Sequence, residues 1–339
     1  MSILEFPHDI SIKKIEKSIN KIDNLLSQLK QKPISPVQQQ QIFHNQTLKS
    51  SLFSARIEGN NLTLVQAKTI NFNGNKEKSN LEISNIIKTI NNINKLPTSI
   101  SSQVISSVHQ QIMNKIDTRA GKLRQESSAI FDGMGNIVYL TPEPDQVKQM
   151  MAILVKQINT SQTDLSQLPK IAQCHYYFEK IHPFIDGNGR VGRALLQYQL
   201  QKTNLFYSNI LPIDEYFEKN RADYYFHLEK NSRNIDEFII FFLEGIVYSL
   251  KQLLNSIDDL TQTNQTKAGS LNKNRKNLLP RRQELINIIN DHPYISLDSL
   301  SRRFPTIPKR TIAYDVNWLV KHDLVTKHGE TRGVKYSMK

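Results

Sequence analysis

The stretch His182-Pro183-Phe184-Ile185-Asp186-Gly187-Asn188-Gly189-Arg190-Val191-Gly192-Arg193 decides the fold of this chain. Ile171, Cys174, Phe178 and Ile181 lead into it at helical spacing, and Ala194, Leu195 and Tyr198 lead out. Two helices are therefore expected, joined by a glycine-bearing turn that ends at a helix N-terminus. Gly187 and Gly189 can take positive φ, which lets backbone amides converge on an anion. The following helix start adds unsatisfied N–H groups and the positive end of its dipole. Arg190 and Arg193, three apart, share one face of that first turn and can neutralise a polyphosphate. Arginine there opposes the dipole, a local conflict that an absent anion explains better than folding does. Asp186 supplies the hard oxygen that Mg²⁺ prefers. His182 is a candidate proton acceptor near neutral pH. Asp-Gly-Asn-Gly alone also fits an ordinary tight turn, and a histidine before proline is commonly structural. The ordered set in one short string is what argues for a site.

Outward from this centre the chain reads as mainly α. Helical patterns cover Ile10–Leu29, Val37–Ile57, Thr63–Ile70, Ser79–Leu96, Ser99–Met113, Gln146–Ile158, Pro169–Ile181, Val191–Gln201, Asp214–Ser232 and Ile235–Leu254. Gly59, Asn60 and Asn61 are a stop signal after the second. Between Ser127 and Leu140 two short extended runs flank Asp132-Gly133-Met134-Gly135-Asn136, the pattern of a β-hairpin. Residues 256–277 are rich in Thr, Gln, Asn, Ser and Lys and read as a linker. The expected organisation is a helical region over 1–100, a core over 101–255, that linker, and a small unit over 278–339.

Composition bounds the class. The chain has 339 residues, 38% hydrophobic and 22% charged, and a formal net charge of +13. These values fit a soluble globular protein of two or three domains. One cysteine, Cys174, cannot make an internal disulfide, which suits a reducing compartment. The N-terminal residues mix charges among apolar positions, unlike a signal peptide. Phe238–Leu250 is apolar but short and interrupted by Glu244, so it reads as a buried helix, not a membrane span. A cytoplasmic location without membrane contact is the expectation. The positive charge is compatible with an anionic partner or with a lysine-rich solvated surface.

The central string resembles the signature of the Fic family, His-x-Phe-x-(Asp/Glu)-Gly-Asn-Gly-Arg-x-x-Arg, at every specified position. The resemblance covers roughly Leu52 to Leu250. It implies a Fic-type helical core with a β-hairpin flap, and transfer of AMP from ATP to a Ser, Thr or Tyr hydroxyl of a protein target or of the chain itself. His182 would take the hydroxyl proton and Phe184 would anchor the loop in the core. Asp186 would hold Mg²⁺. Gly187, Asn188 and Gly189 would cradle the phosphates, with Arg190 on the β- and Arg193 on the γ-phosphate. Residues 137–140 (Ile137, Val138, Tyr139 and Leu140) would form the flap edge on which the target pairs by strand addition. Tyr224 and Tyr225 resemble a family Tyr-Tyr pair near the adenine; core packing is the alternative. Family members often dimerise, so a homodimer is expected.

Ser54-Ala55-Arg56-Ile57-Glu58-Gly59-Asn60 resembles the family's inhibitory motif, (Ser/Thr)-x-x-x-Glu-(Gly/Asn)-Asn, placed here in an N-terminal inhibitory helix. A Glu58 carboxylate paired with Arg193 would withhold that arginine from ATP and repel the triphosphate. Ser54, one turn earlier, would hold the glutamate in place. The resemblance leaves open a reaction of opposite sense, in which Glu58 positions water to remove AMP from the target.

Between Leu271 and Lys339 stand 14 Lys and Arg against 6 Asp and Glu, a net of +8. Helical patterns over Arg281–Asn290, Leu297–Phe304 and Lys309–Lys321, then extended runs over Leu324–Thr326 and Val334–Ser337, resemble a winged helix-turn-helix. The resemblance implies DNA contacts by Lys309, Arg310, Thr311 and Tyr314 on the third helix and by Lys327 and Arg332 on the wing. Val316, Trp318 and Leu319 would pack the core. The alternatives are a protein-interaction module, and a DNA-binding regulator whose Fic core only senses nucleotide.

Overall fold

Two consecutive helices, α7 (Gln167–Ile181) and α8 (Asn188–Lys202), carry the central string between them. The computed structural model describes residues 12–70, 77–131, 137–160, 165–203, 210–229, 235–275, 278–292, 294–305, 307–329 and 333–339. It divides into two units, Met1–Asp258 and Asp259–Lys339. The first is almost wholly helical. Before α7 it contains α1 (Ile12–Gln31), α2 (Pro36–Ile57), α3 (Leu64–Lys68), α4 (Lys78–Asn91), α5 (Ser102–Ile112) and α6 (Pro144–Asn159). After α8 come α9 (Ile213–Lys219), α10 (Arg221–Glu229) and the start of α11 (Ile235–Arg275).

Local chemistry fixes the helix that matters most. Pro36 sits at the first position of α2, and Ser35 and Gln38 close a reciprocal capping box. The helix ends in a Schellman pattern: Asn60 N–H donates to Ala55 O at 3.1 Å and Gly59 N–H to Arg56 O at 3.0 Å. Gly59 takes φ +94°, the left-handed conformation expected of it. Leu52, Ala55 and Ile57 are buried on the inner face of α2, and Glu58 follows at the cap. The core beneath α7 and α8 includes Ile83, Ile105, Leu154, Phe178, Phe184 and Leu196, none more than 1% exposed.

A short antiparallel pair, β1 (Ala129–Phe131) and β2 (Ile137–Leu140), forms the expected hairpin, with Ala129 opposite Leu140 and Ile130 opposite Tyr139. Its turn, 132–136, lies outside the described residues.

Three expectations are corrected. The single helix over Asp214–Ser232 is two, separated at Asn220 (φ −114°, ψ 41°). Asn220 closes α9 through its side-chain amide on Tyr216 O and accepts at its carbonyl from Tyr224 N–H, so it caps both helices. Helix α4 stops at Asn91 and continues to Lys95 as a 3₁₀ turn, not an α-helix to Leu96. Within the stretch expected as a linker, the backbone is helical as far as Arg275, where a composition of this kind suggested a coil. It has no proline and a single glycine, and its Leu, Gln, Lys and Arg are good helix formers, so polarity alone did not make it a coil. The boundary between units nevertheless falls at Asp258/Asp259, inside that stretch.

The second unit contains α12 (Pro280–Asp291), α13 (Leu297–Arg302) and α14 (Lys309–Lys321), with β4 (Val325–His328) and β5 (Lys335–Met338) as an antiparallel pair. A two-residue strand not foreseen, β3 (Ile295–Ser296), pairs with β5, giving the order β3-β5-β4. Leu285, Ile286, Ile289, Leu300, Ile312, Val316 and Leu319 make its core. Asp315, 1% exposed, ties α14 to α12 by accepting from Arg281 Nε at 2.5 Å and Arg282 Nε at 2.8 Å.

Candidate active site

The turn between α7 and α8 is held rigidly. His182 adopts a left-handed conformation (φ +48°, ψ +60°), unusual for a residue with a side chain. Its N–H still closes α7 on Phe178 O at 3.0 Å. Asn188 pins the loop from inside, its side chain exchanging bonds with Phe184 N and O at 2.9 and 2.8 Å. Phe184 is fully buried and stacks on His109 at 3.8 Å. Gly187 takes φ +82°, and a Cβ there would meet Met113 Sδ at 2.6 Å.

Gly189 serves differently from expected. It lies in the first turn of α8, without positive φ, and its value is closeness: an added Cβ would lie 2.2 Å from Glu58 Oε1 and 2.9 Å from an Arg193 terminal nitrogen. The Glu58 carboxylate therefore rests against the N-terminal turn of α8, on the face where unsatisfied amides and the helix dipole favour an anion. Arg193, 2% exposed, donates to Glu58 Oε1 at 2.8 Å and to Ser54 O at 2.9 Å. Its Nε donates to Ser54 Oγ at 2.8 Å and lies 3.6 Å from Asp214, itself buried. Ser54 thus orients the arginine, a correction to the expectation that it would hold Glu58. The hydroxyl sits inside the Arg193 fork because Ser54 is on the buried side of α2.

Arg190 is 3% exposed and bonds Asp186 at 3.0 Å and Glu82, from α4, at 3.4 Å. The Asp186 side chain is half exposed and also accepts from Gly187 N–H at 2.6 Å. A single hard carboxylate at the solvent edge of an anion cradle fits Mg²⁺, which takes one or two protein oxygens and completes its shell with phosphate and water. Among the described residues no cluster of three His, Cys, Asp or Glu side chains that could hold a metal exists.

The imidazole of His182 meets Glu179 O through Nδ1 at 3.2 Å. A carbonyl only accepts, so Nδ1 carries the proton and Nε2 is left as the base. Burial lowers the His182 pKa, opposed by that bond and by the charge of Glu58. The neutral, proton-accepting form is therefore the resident one at pH 7.

Beside these groups lies a cavity of about 600 Å³ lined by Glu58, His182, Gly189 and Arg193, and by Tyr139, Lys180, Tyr224, Tyr225 and Leu228. Tyr224 is buried, stacks on Phe217 at 4.6 Å, and its hydroxyl meets His175 Nε2 at 2.8 Å. Tyr225 is partly exposed and donates to Ile57 O at 3.3 Å, at the end of α2. Of the flap residues, Tyr139 packs under Lys180, whose ammonium stands 3.9 Å above the ring, and Leu140 is exposed. Burial pushes Lys180 down to about 8. The side chains of Ile137 and Val138 lie outside the described residues.

Four functional neighbours were not legible as such. His109 accepts from Gly121 N–H at Nδ1 (2.7 Å), so its Nε2 donates to Asp186 O (2.9 Å), fixing the backbone of the loop. Arg124, 3% exposed, donates to the carbonyls of His182, Ile181, Glu126 and Pro142 and locks the end of α7. Glu179 lines the cavity wholly buried, its acid pushed up to about 8 by burial, with Arg193 opposing and Glu58 reinforcing. Glu82 is the fourth. Each lies far in sequence from the motif or points its side chain away from the repeat that reveals helices.

In the second unit Lys309 is ion-paired with Asp298, Arg310 and Lys327 are exposed, Thr311 is half-buried, and Tyr314 is 64% exposed. Val316 and Leu319 are in the core as expected. Trp318 packs at its margin, 4.1 Å from the Arg282 guanidinium. Arg332 lies outside the described residues.

Residues 99–200, which include the string from His182 to Arg193, match the model of the Fic/DOC family. The protein adenylyltransferase Fic of Drosophila grimshawi is 26% identical over 219 residues, 62% of this chain and 43% of that protein. The protein adenylyltransferase fic-1 of Caenorhabditis briggsae is 28% identical over 182 residues, 50% of this chain and 33% of that one. This chain therefore matches less than half the length of these curated relatives. The crystal structure of a Fic family protein from Desulfovibrio desulfuricans G20 shares the fold with a TM-score of 0.66 at 19% identity, covering 99% of this chain and 98% of that one. The motif-bearing region is thus similar to Fic domains, and the chain has relatives named as protein adenylyltransferases. Among the described residues no helix is long and apolar enough to cross a membrane.

Proposed function

We propose that this protein transfers AMP from ATP to a protein hydroxyl and that Glu58 restrains the reaction. The observation that carries the proposal is the placement of the Glu58 carboxylate on the first turn of α8, bonded to Arg193 at 2.8 Å, beside His182 in one cavity. A carboxylate in that position mimics a phosphate oxygen. Displaced, it leaves amides, Gly189 and Arg193 to an anion of the same charge sense.

In the reaction, the target hydroxyl gives its proton to His182 Nε2 while its oxygen attacks the α-phosphorus. A new P–O bond forms to the target, and the bond from the α-phosphorus to the α–β bridging oxygen breaks. Pyrophosphate leaves with that electron pair, its charge met by Arg190, Arg193 and the α8 amides. Asp186 would hold Mg²⁺, which neutralises phosphate charge. The flap edge at Tyr139 and Leu140 would align the target backbone, and Tyr225 would flank the nucleoside. Incubation with Mg²⁺ and ATP labelled at the α-phosphate should label the target or the chain itself, and His182→Ala should abolish labelling. Equal labelling in His182→Ala would remove the proposed base. Because Glu58 and His182 share the cavity, water activation for AMP removal is the second reading. Release of AMP from a modified target, lost in Glu58→Gly, would favour it.

For the second unit we infer a winged-helix module that binds DNA, on the exposure of Arg310, Tyr314 and Lys327 within a segment of net charge +8. Duplex binding that weakens steeply with salt, and further in Arg310→Ala, supports it. Salt-independent or absent binding leaves the protein-interaction alternative.

A further inference from the structure

We propose that Glu82 is a positioning residue that holds the Arg190 guanidinium on the β-phosphate; this rests on the AMP-transfer reading above. Glu82 lies on α4, far in sequence from the motif, with its side chain 14% exposed. Its two oxygens face two different parts of the site. Oε1 accepts from Arg190 at 3.4 Å, and Oε2 accepts from Asn60 Nδ2 at 2.8 Å. Asn60 also donates to Ser79 O at 2.8 Å, next to the start of α4, so the carboxylate is fixed from behind. Glu82 is therefore an anchored acceptor and not a swinging one.

Arg190 depends on such an anchor. Its Nε is buried with no hydrogen-bond partner among the described residues, so the plane of the guanidinium is set through its two terminal nitrogens alone. One of these bonds Glu82 and the other bonds Asp186. Asp186 has a second duty: it is the one loop carboxylate at the solvent edge suited to Mg²⁺. When Asp186 turns toward a cation, Arg190 loses that partner. Glu82 is then the one remaining carboxylate paired with it among the described residues. A fixed acceptor on one terminal nitrogen leaves the other free to donate to phosphate in a defined direction, which is how a guanidinium gains specificity. Without Glu82 the charge stays but the orientation is lost.

The consequence is specific to ligands that possess a β-phosphate. Binding of ATP, ADP and AMP would be measured by calorimetry on the full chain carrying Glu58→Gly, so that the carboxylate on Arg193 does not interfere. Glu82→Gln, which keeps the shape and an acceptor for Asn60, and Glu82→Ala, which removes both contacts, would each be compared with Arg190→Ala. We expect ADP and ATP to weaken on the order of tenfold in either Glu82 variant, while AMP affinity is unchanged and serves as the control for folding. Combining Glu82→Ala with Arg190→Ala should cost no more than Arg190→Ala alone. In turnover, KM for ATP should rise more than kcat falls.

Equal weakening of AMP and ADP would overturn the inference, because it would mark Glu82 as a general structural support. Tighter ADP binding would overturn it too, making Glu82 a competitor of phosphate. If Arg190→Ala loses ADP affinity and Glu82→Gln does not, the role of Glu82 alone fails. If Arg190→Ala keeps full ADP affinity, the phosphate reading of the motif fails and this inference falls with it.

Discussion

Replacing Glu179 by Gln should flatten the loss of stability that the protein suffers between pH 6.5 and 8. Glu179 is 7% exposed, its Oε1 has no hydrogen-bond partner among the described residues, and His175 Nδ1, one turn earlier on the same helix, is 4.0 Å away. Burial raises its acid to about 8 from an ordinary 4.5, against the pull of Arg193 and with the push of Glu58. The folded state therefore holds a proton that the unfolded chain has released. Where the folded state binds more protons, stability falls as pH rises. His175, pushed down to about 3 by burial and by Arg193, is neutral when folded. Its unfolded imidazole still titrates at the acid end of this window and opposes the slope there, equally in wild type and variant, so it cancels in their difference. One proton corresponds to about 1.4 kcal/mol per pH unit, so Glu179 alone removes about 2 kcal/mol between pH 6.5 and 8. Urea unfolding at four pH values in this range would be compared for wild type and Glu179→Gln. The difference in stability between the two should change by that amount toward the variant as pH rises. A difference that stays constant would refute the claim that a buried proton resides on Glu179.

Other consequences follow from the same geometry. The acid limb of the rate profile should lie below the usual imidazole range, since burial lowers His182; single-turnover rates from pH 5 upward would show it, and a midpoint above 6.5 would contradict it. Gly189→Ala would place a methyl against Glu58 and Arg193, forcing the Glu58 carboxylate aside, and ATP should bind on the order of tenfold more weakly as the methyl fills the cradle. Calorimetry showing unimpaired ATP binding would argue against phosphate contact there. Asp315→Ala should destabilise the second unit by about 3 kcal/mol, seen as an earlier melting step of the full chain, because Arg282 keeps a largely buried charge without its partner.

Much of this was legible from the chain itself. The motif declared its own helices, since Phe178 and Ile181 on one side and Leu195 and Tyr198 on the other carry the helical period into the core. Gly59 marked the end of α2 because only a left-handed residue completes the cap seen there. The third helix of the second unit, Lys309–Lys321, falls where its periodicity placed it. Less legible were features fixed by distant partners. Nothing near Glu82 in the sequence signals Arg190, more than a hundred residues away. Ser54 is equally close to Glu58 along α2, but the buried face of the helix turns its hydroxyl to Arg193. Asn220 interrupts a helical pattern without proline or glycine, using its side chain as a cap. The polar stretch after Asp258 reads as coil by composition, while backbone propensity keeps it helical to Arg275.

The most direct measurement compares wild type with Glu58→Gly, each supplied with Mg²⁺ and ATP labelled at the α-phosphate. The bond from Glu58 to Arg193 is charge-assisted, and such bonds contribute about 1.5–3 kcal/mol, or roughly 10- to 150-fold in rate once removed. Self-labelling or target labelling should rise within that range in the variant and depend on His182. No labelling of either protein from the α-phosphate would contradict AMP transfer, and equal labelling of both would contradict restraint by Glu58.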